Sequence, residues 1–401
     1  MSTLPDGWHR HPLGDLARVK SGFAFKSADW TEHGVPVVKI ANVKNSGLSL
    51  EDCSFVSTSV AASVPDFELA NGDVLISMTG YVGQVCRVDT DRQLLLNQRV
   101  GRLTIRDEHT TDIGYLYYYM RQRNVQDAFN SLGYGSAQAN ISPALIGSIP
   151  VRLPPLSQQQ AIAEVLAALD DKIAANRKLA DTADALAAAI YLGAAAESSE
   201  QRALSDVASL ISRGVAPKYT EDESELTVLN QKCIRGQRIS LAPARRTLGS
   251  KVQQPKRLQP NDVLVNSTGA GTLGRVARWT GDDDATVDSH VSIVRFDPDG
   301  IDPTCAGFAL LHAQKTIEMM GEGSTGQTEL SREQLSKLAL RFITRDREAA
   351  VAEKLRALST ASAQALDESS RLAVIRDTLL PHLMSGSRTV RAVERQVEQV
   401  L

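Results

Sequence analysis

The chain has 401 residues, 42% hydrophobic and 23% charged, an ordinary folded-protein composition with length for two or three domains. No uninterrupted apolar run approaches the ~20 residues that span a bilayer, and the first twenty residues hold no secretory-type segment, so a cytoplasmic protein with no membrane partner is expected. Cys53, Cys86, Cys233 and Cys305 form no C-x-x-C pair, which argues against a zinc site or disulfide framework, and a net charge of −3 means that any nucleic-acid binding must rest on a local patch.

In chain order, the first stretch of short strands and turns contains "LGDLARV" at Leu13, "NGDVLIS" at Asn71, "TGYVGQVCR" at Thr79, "LNQRVGRLTI" at Leu96 and "GYGSAQANIS" at Gly133. A helical segment follows at 157–192, rich in Ala and Leu, with Ser157 as a plausible N-cap behind Pro154 and Pro155. Ile162, Leu166, Leu169, Ile173, Asn176, Ala180, Ala183, Ala187 and Ile190 alternate at spacings of four and three, which is a coiled-coil seam. At 1.5 Å per residue such a helix would be about 54 Å long. Asn176 either fixes register on that seam or faces solvent.

The chain then repeats itself. "LSDVASL" at Leu204, "PNDVLVN" at Pro260, "AGTLGRVAR" at Ala270, "VDSHVSIVRF" at Val287 and "GEGSTGQTELS" at Gly321 echo the five earlier segments in order, at a shift of roughly 190 residues. That period is a duplicated domain rather than a solenoid. A second helical segment, about 345–385, carries Val351, Leu355, Leu358, Ser362, Ala365, Leu372, Leu379 and Leu383 on a similar seam, with Pro381 and Gly386 marking its end. Each helix is the natural antiparallel partner of the other, which predicts one repeat at each end of a rod.

The duplication decides how "GAGTLG" (269–274) is read. The string fits the dinucleotide fingerprint G-x-G-x-x-G, but its counterpart "TGYVG" lacks the first glycine, and "RVARW" continues as a strand instead of a helix. A strand–turn–strand loop using glycine for positive φ is expected. Methyltransferase N-P-P-[FY], P-loop, H-E-x-x-H and G-x-S-x-G motifs are all absent from the sequence. The Asp288, Ser289, His290 trio becomes Asn97, Gln98, Arg99 in the first copy, a pattern of divergent readers and not of a shared catalytic triad.

"IPVRLPPLSQQQAIAEVLAALDDKIAANRKL" (149–179) resembles the central conserved region of type I restriction–modification specificity subunits, with its P-LPPL-x-x-Q start and I-x-x-x-L-x-x-L-D-x-K-I helix. "LAVIRDTLLPHLMSG" (372–386) and "GSAQANIS" (135–142) are similar to two further family segments, and the resemblance covers essentially the whole chain. In the second copy "LRFITRDREAAVAEKL" loses the double proline, so a different helix-start geometry is expected there.

The resemblance implies a mixed α/β (α+β) fold: two duplicated globular target recognition domains separated by two long antiparallel coiled-coil helices. The expected boundaries are 1–152 and 197–343 for the recognition domains, 153–196 and 344–386 for the helices, and 387–401 for a tail. It further implies a non-catalytic chain that reads a bipartite, asymmetric double-stranded DNA target. Two methyltransferase subunits using S-adenosylmethionine, and motor/nuclease subunits using ATP and Mg, would be its partners; no cofactor is expected in this chain. Ile162, Leu166, Leu169, Ile173, Val351, Leu355, Leu358, Leu372 and Leu379 are the expected helix-pairing residues. A protein–protein adaptor with duplicated binding domains is the alternative, and a nucleotide-dependent enzyme using "GAGTLG" a further one.

Charge supports nucleic acid locally. Residues 229–278 hold Lys232, Arg235, Arg238, Arg245, Arg246, Lys251, Lys256, Arg257, Arg275 and Arg278 against Asp262 alone, a net of +9, whereas 38–87 has three basic and five acidic residues. The first domain would then draw on Lys20, Lys26, Arg99, Arg102, Arg121 and Arg123. Polar loops after the matched strands supply the candidate DNA contacts. In the first copy these are Lys39, Asn42, Lys44, Thr79, Tyr81, Gln98, Arg99, Tyr134, Ser136 and Gln138. In the second they are Lys232, Arg235, Arg238, Arg245, Arg246, Thr272, Arg275, Ser289, His290, Ser324, Thr325 and Gln327.

Overall fold

The structure, a computed structural model, describes residues 4–133, 140–198, 201–321 and 329–392. Two compact units emerge, Met1–Ala175 with Glu368–Leu401, and Asn176–Asp367, so each unit takes one repeat and a half of each long helix.

The repeats share one topology. In the first, a four-stranded antiparallel sheet runs Val85–Arg87, Val74–Ser77, Val100–Ile105, Ala17–Ser21. In the second, the same order is Val276–Arg278, Val263–Asn266, Val291–Phe296, Ala208–Arg213. A second sheet in each contains one parallel pair, Val35–Val38 with Leu94–Leu96, and Leu226–Leu229 with Ala285–Val287. These central strands read as continuous apolar runs because both their faces are covered: Val37, Val38, Leu94, Leu95, Ala285 and Val287 are fully buried. The first repeat adds an edge strand, Glu68–Leu69.

Two 41-residue helices, Leu156–Ala196 and Arg345–Ser385, complete the fold. The first begins one residue before Ser157, which is therefore inside the first turn and not its cap; the Pro155 carbonyl accepts the amides of Gln158 and Gln159. Pro381 does not end the second helix. It sits on the exposed side, so the helix loses a solvent-facing hydrogen bond while Leu379, Leu383 and Met384 stay buried, and Gly386 at φ +70° terminates it.

The loss of the double proline leaves one tie at the second helix start unchanged. Gln159 is fully buried and its Oε1 accepts the amide of Asp112, the N-cap of helix Ile113–Arg121. Glu348, buried at the matching place, accepts the amide of Asp302, the N-cap of helix Pro303–His312. Both side chains fasten a long helix to the helix of the adjoining repeat by satisfying a backbone donor.

Within the first unit, Ile162, Leu166, Leu169, Ile173, Leu372 and Leu379 enter one core with the repeat's own apolar residues. The contacts Asp170–Arg376, Lys172–Glu368 and Ser369 Oγ to the Ile173 carbonyl show that the helix halves run antiparallel. Within the second unit, Val351 and Leu355 pack with Ala187, Tyr191, Ala194 and Ala195, Leu358 lies half-buried beside them, and Arg347 pairs with Glu197. Asn176 is buried, 4% exposed, which removes the solvent-facing alternative. By length and mean hydropathy, 1.3 in one window, the first long helix passes as a membrane span, through alanine more than through a run of large apolar residues. That alanine-rich face is what permits close helix packing at Ala180, Ala183 and Ala187, all buried.

Candidate nucleic-acid interface

"GAGTLG" lies in a β-hairpin loop. Val263–Val265 pair antiparallel with Val276–Arg278, and Gly274 donates its amide to the Asn266 carbonyl across the loop neck. The first copy has the same hairpin, with Gly83 donating to Ser77. Gly83 and Gly274 have φ +79° and +81°, and a Cβ on either would come within 2.5 Å of Phe129 Cβ or Glu318 Cα. The last glycine of each loop therefore serves close approach to the protein's own neighbouring helix, Arg123–Gly133 or Gln314–Met319. No helix follows the loop to supply a phosphate site, so the dinucleotide reading falls.

Around each hairpin the structure gathers several candidate loops into one rim. In the first repeat Met78 donates its amide to the Arg99 carbonyl and accepts that of Ile141, while Thr79 bridges to Asn140, with Oγ1 to Oδ1 at 3.2 Å. Gly80 lies against Ile40, next to Lys39. Tyr81, Gln98, Arg99 and Lys44 are exposed on this rim and its flank. In the second repeat Ser267 donates to the His290 carbonyl and accepts from Leu330, Thr268 bridges to Glu329, and Thr268 Oγ1 is 2.8 Å from His290 Nδ1. Lys232, Ser289 and His290 are exposed, and Thr272 and Arg275 half-exposed. Tyr134, Ser136, Gln138, Ser324, Thr325 and Gln327 lie outside the described residues.

Other candidates are spent on the fold. Asn42 is buried and its amide donates to the Ser49 carbonyl at 2.9 Å. Lys39 bonds Ser54 Oγ and lies 4.3 Å from the Trp30 ring centroid. Arg238 pairs with Asp184 at 2.6 Å and Asp181 at 3.0 Å on the long helix. Arg246 donates to Thr227 Oγ1 and the Glu225 carbonyl, and Arg245 covers the Tyr219 ring at 3.6 Å. Arg275 donates to the Gly271 carbonyl at 2.8 Å.

The +9 count of residues 229–278 overstates the patch. Besides Arg238, Arg257 pairs with Asp284, Lys256 bonds Ser212 and the Arg213 carbonyl, and Arg278 is held by Asn261 and Ser359. Burial lowers the Lys256 ammonium and brings the Arg278 guanidinium down to about 10. Lys232, Arg235 and Lys251 remain exposed. In the first repeat Arg102 and Arg121 are likewise committed, to Asp73 and Asp170.

Three supporting residues escape motif reading. Asn266, fully buried, donates to the carbonyls of Gln231 and Thr272, tying the 231 turn to the hairpin. The Gln231 side chain then holds Thr268 at 2.8 Å, and Arg213 bonds Glu329 and the carbonyls of Leu330 and Ser289. For Asn266 the signal lay in the repeat alignment, where it falls opposite Ser77, the hydroxyl that organises the first loop. Among the described residues no group of three or more His, Cys, Asp or Glu is placed to hold a metal, and the four thiols are unpaired with other cysteines.

A duplicated α+β recognition module, each copy presenting a hairpin-centred polar rim, is the class this architecture defines. Residues 5–183 match the family described as type I restriction modification DNA specificity domain. The type I restriction enzyme MjaVIII specificity subunit of Methanocaldococcus jannaschii is 28% identical over 180 residues, 44% of this chain and 42% of the relative. The StySPI specificity subunit of Salmonella potsdam is 22% identical over 287 residues, 65% of this chain and 61% of the relative, so the chain spans about half the length of these two relatives. The crystal structure of the type I restriction-modification system S subunit from M. genitalium shares the fold, at a TM-score of 0.63 over 95% of this chain and 98% of that one, with 16% identity. Residues 5–183 are thus similar to the DNA specificity domain of type I restriction–modification systems, and the fold of the whole chain is that of an S subunit.

Proposed function

We propose that this chain gives a type I restriction–modification complex its DNA sequence specificity, each repeat reading one half of a bipartite, asymmetric duplex target. The observation that carries the reading is the duplicated rim. Its backbone framework is repeated, while the displayed groups change from Gln98 and Arg99 to Ser289 and His290. A framework held constant under exchanged donors and acceptors suits two readers of different base sequences.

In this reading residues 1–152 and 197–343 are the recognition domains, 153–196 and 344–386 the helices, and 387–401 a tail. The helices set the gap between half-sites and dock two methyltransferase subunits, which supply S-adenosylmethionine chemistry. Motor/nuclease subunits supply ATP- and Mg-dependent cleavage, and this chain contributes no catalytic group. The setting is the cytoplasm, where the DNA is.

The test is selection from random duplex libraries by the assembled methyltransferase complex. Two defined blocks with a fixed gap are expected; absence of any enriched motif would sink the reading and favour a protein–protein adaptor. Removing one heptad from each long helix should change the gap and leave both blocks intact, and altered blocks at an unchanged gap would contradict the spacing role.

A further inference from the structure

The two hairpins differ at their tips in a way that separates how the half-sites are held. Tyr81 is 85% exposed, the most exposed large apolar side chain among the described residues. Its backbone is fixed nonetheless. Ser77 Oγ donates to the Tyr81 carbonyl and accepts the Gln84 amide at 3.0 Å, and the flanking Val82 and Gly83 are buried. Gly80 and Gly83, both at positive φ, bound the tip. The other exposed tyrosine among the described residues, Tyr219 at 44%, is covered by the Arg245 guanidinium 3.6 Å away. Among the described residues no ring or cation covers Tyr81.

At the matching place the second hairpin carries Thr272, whose hydroxyl is turned inward to Gln231 Oε1 at 3.2 Å and to the Gly269 carbonyl at 3.3 Å. One tip thus presents a large aromatic face on a rigid arm, and the other a small side chain occupied by its own loop. An apolar ring left in water on a fixed backbone is a pre-organised contact, since the ordering cost is met before binding.

Resting on the DNA reading above, we infer that Tyr81 is a stacking wedge: its ring packs on the face of a base in the first half-site, at a step it partly unstacks. Among the described residues the second hairpin tip presents no equivalent, so the two half-sites are gripped unequally. Apolar side chains inserted at base steps unstack and kink a duplex, and base–aromatic stacking tolerates any base because each has a π face. The wedge therefore positions the half-site without selecting its bases, leaving selection to neighbours such as Gln98 and Arg99.

The experiment uses the assembled methyltransferase complex and the duplex it selects, with 2-aminopurine moved step by step through the first block. Wild type and Tyr81→Phe are expected to raise fluorescence at one position. Tyr81→Ala should abolish that rise and weaken binding roughly 5- to 150-fold, the range that ~1–3 kcal/mol of stacking converts to, without changing the enriched bases. Thr272→Ala should leave the signal in place. If Tyr81→Phe fails as Tyr81→Ala does, the hydroxyl and not the ring makes the contact, and the wedge is overturned. Unchanged affinity and fluorescence in Tyr81→Ala overturns it as well. A wild-type complex that enriches no motif overturns the DNA reading itself, a distinguishable failure. Because the Tyr81 side chain is almost wholly exposed, folding of the alanine variant is not at stake.

Discussion

The two repeats share a topology but grip their helix halves with differently placed charge. In the first, the helix carboxylate of Asp170 accepts from Arg121 at 3.1 Å, Tyr118 Oη at 2.9 Å and Arg376, with the three charged side chains 11 to 21% exposed. In the second, Arg238 reaches from a short hairpin, Ile234–Arg235 paired with Arg238–Ile239, to Asp181 and Asp184, whose side chains are 72% and 44% exposed. Similar bond lengths thus carry unequal energies, because solvent screens one cluster and not the other. Asp170→Ala leaves the enclosed Arg121 guanidinium without a carboxylate, while Arg376 keeps Asp377, and is expected to cost on the order of 2–3 kcal/mol. Asp184→Ala, with Asp181 still in reach and water close by, should cost well under ~1 kcal/mol. Urea unfolding followed at Trp8 and Trp30 in one unit and Trp279 in the other measures both, and equal losses would break the comparison.

The hairpin glycines sharpen it from the backbone side. Gly83→Ala and Gly274→Ala each combine a left-handed φ with a 2.5 Å contact to the neighbouring helix, and each should cost about 2–3 kcal/mol. Gly271, at φ +70° with open space around its Cα, should cost only about 1 kcal/mol as alanine. Thermal unfolding of the three variants checks the order; a Gly271→Ala loss matching the others would place the constraint in φ alone.

Order and duplication were legible because apolar strands and turn glycines repeat in register, and the seams because leucine, isoleucine and alanine recur at helical spacing. Side-chain commitment was not. Nothing adjacent to Arg238 in sequence reveals that Asp181 and Asp184, more than fifty positions away, take its charge. Asn42 reads as a loop amide, yet the turn folds over it and its hydrogen bonds close inward. Pro381 misled because the seam's buried Leu379 and Leu383 outweigh one missing hydrogen bond on the exposed side. Composition counts groups, whereas the site depends on which of them the fold leaves unsatisfied.

That distinction separates the arginines of a single hairpin. Arg235 is exposed, and Arg238 three residues on is already paired. Arg235→Gln should lower the slope of log affinity against log salt by up to about 0.9, one phosphate contact on duplex DNA. Arg238→Gln should leave that slope unchanged while slightly weakening the second unit. Titrating salt in binding of the assembled complex decides this, and a slope change in Arg238→Gln alone would reverse the assignment.

The smallest effect is in pH, where two carboxylates oppose each other. Burial raises Asp170, but Arg121, Arg376 and Tyr118 outweigh it and hold its carboxyl below the usual range. Its stabilisation is therefore complete above the unfolded value of ~3.9 and lost only as pH falls through the lower folded value. Asp288 is the reverse case: burial pushes its carboxyl up, only partly offset by the His290 amide and the His290 charge. Keeping that charge at neutral pH costs stability, and protonation recovers it as pH falls through the raised value, with no further gain below ~3.9. Hydrogen exchange at Val263–Asn266 and Val291–Phe296 should therefore slow slightly, beyond the intrinsic pH effect, between pH 7 and pH 4.5, relative to Val74–Ser77 and Val100–Ile105. Asp288→Asn keeps an acceptor for the His290 amide but removes the titration, so it should erase that difference. Protection lost first in the second repeat over this interval, or a difference that survives in Asp288→Asn, would show that another group governs the pH response.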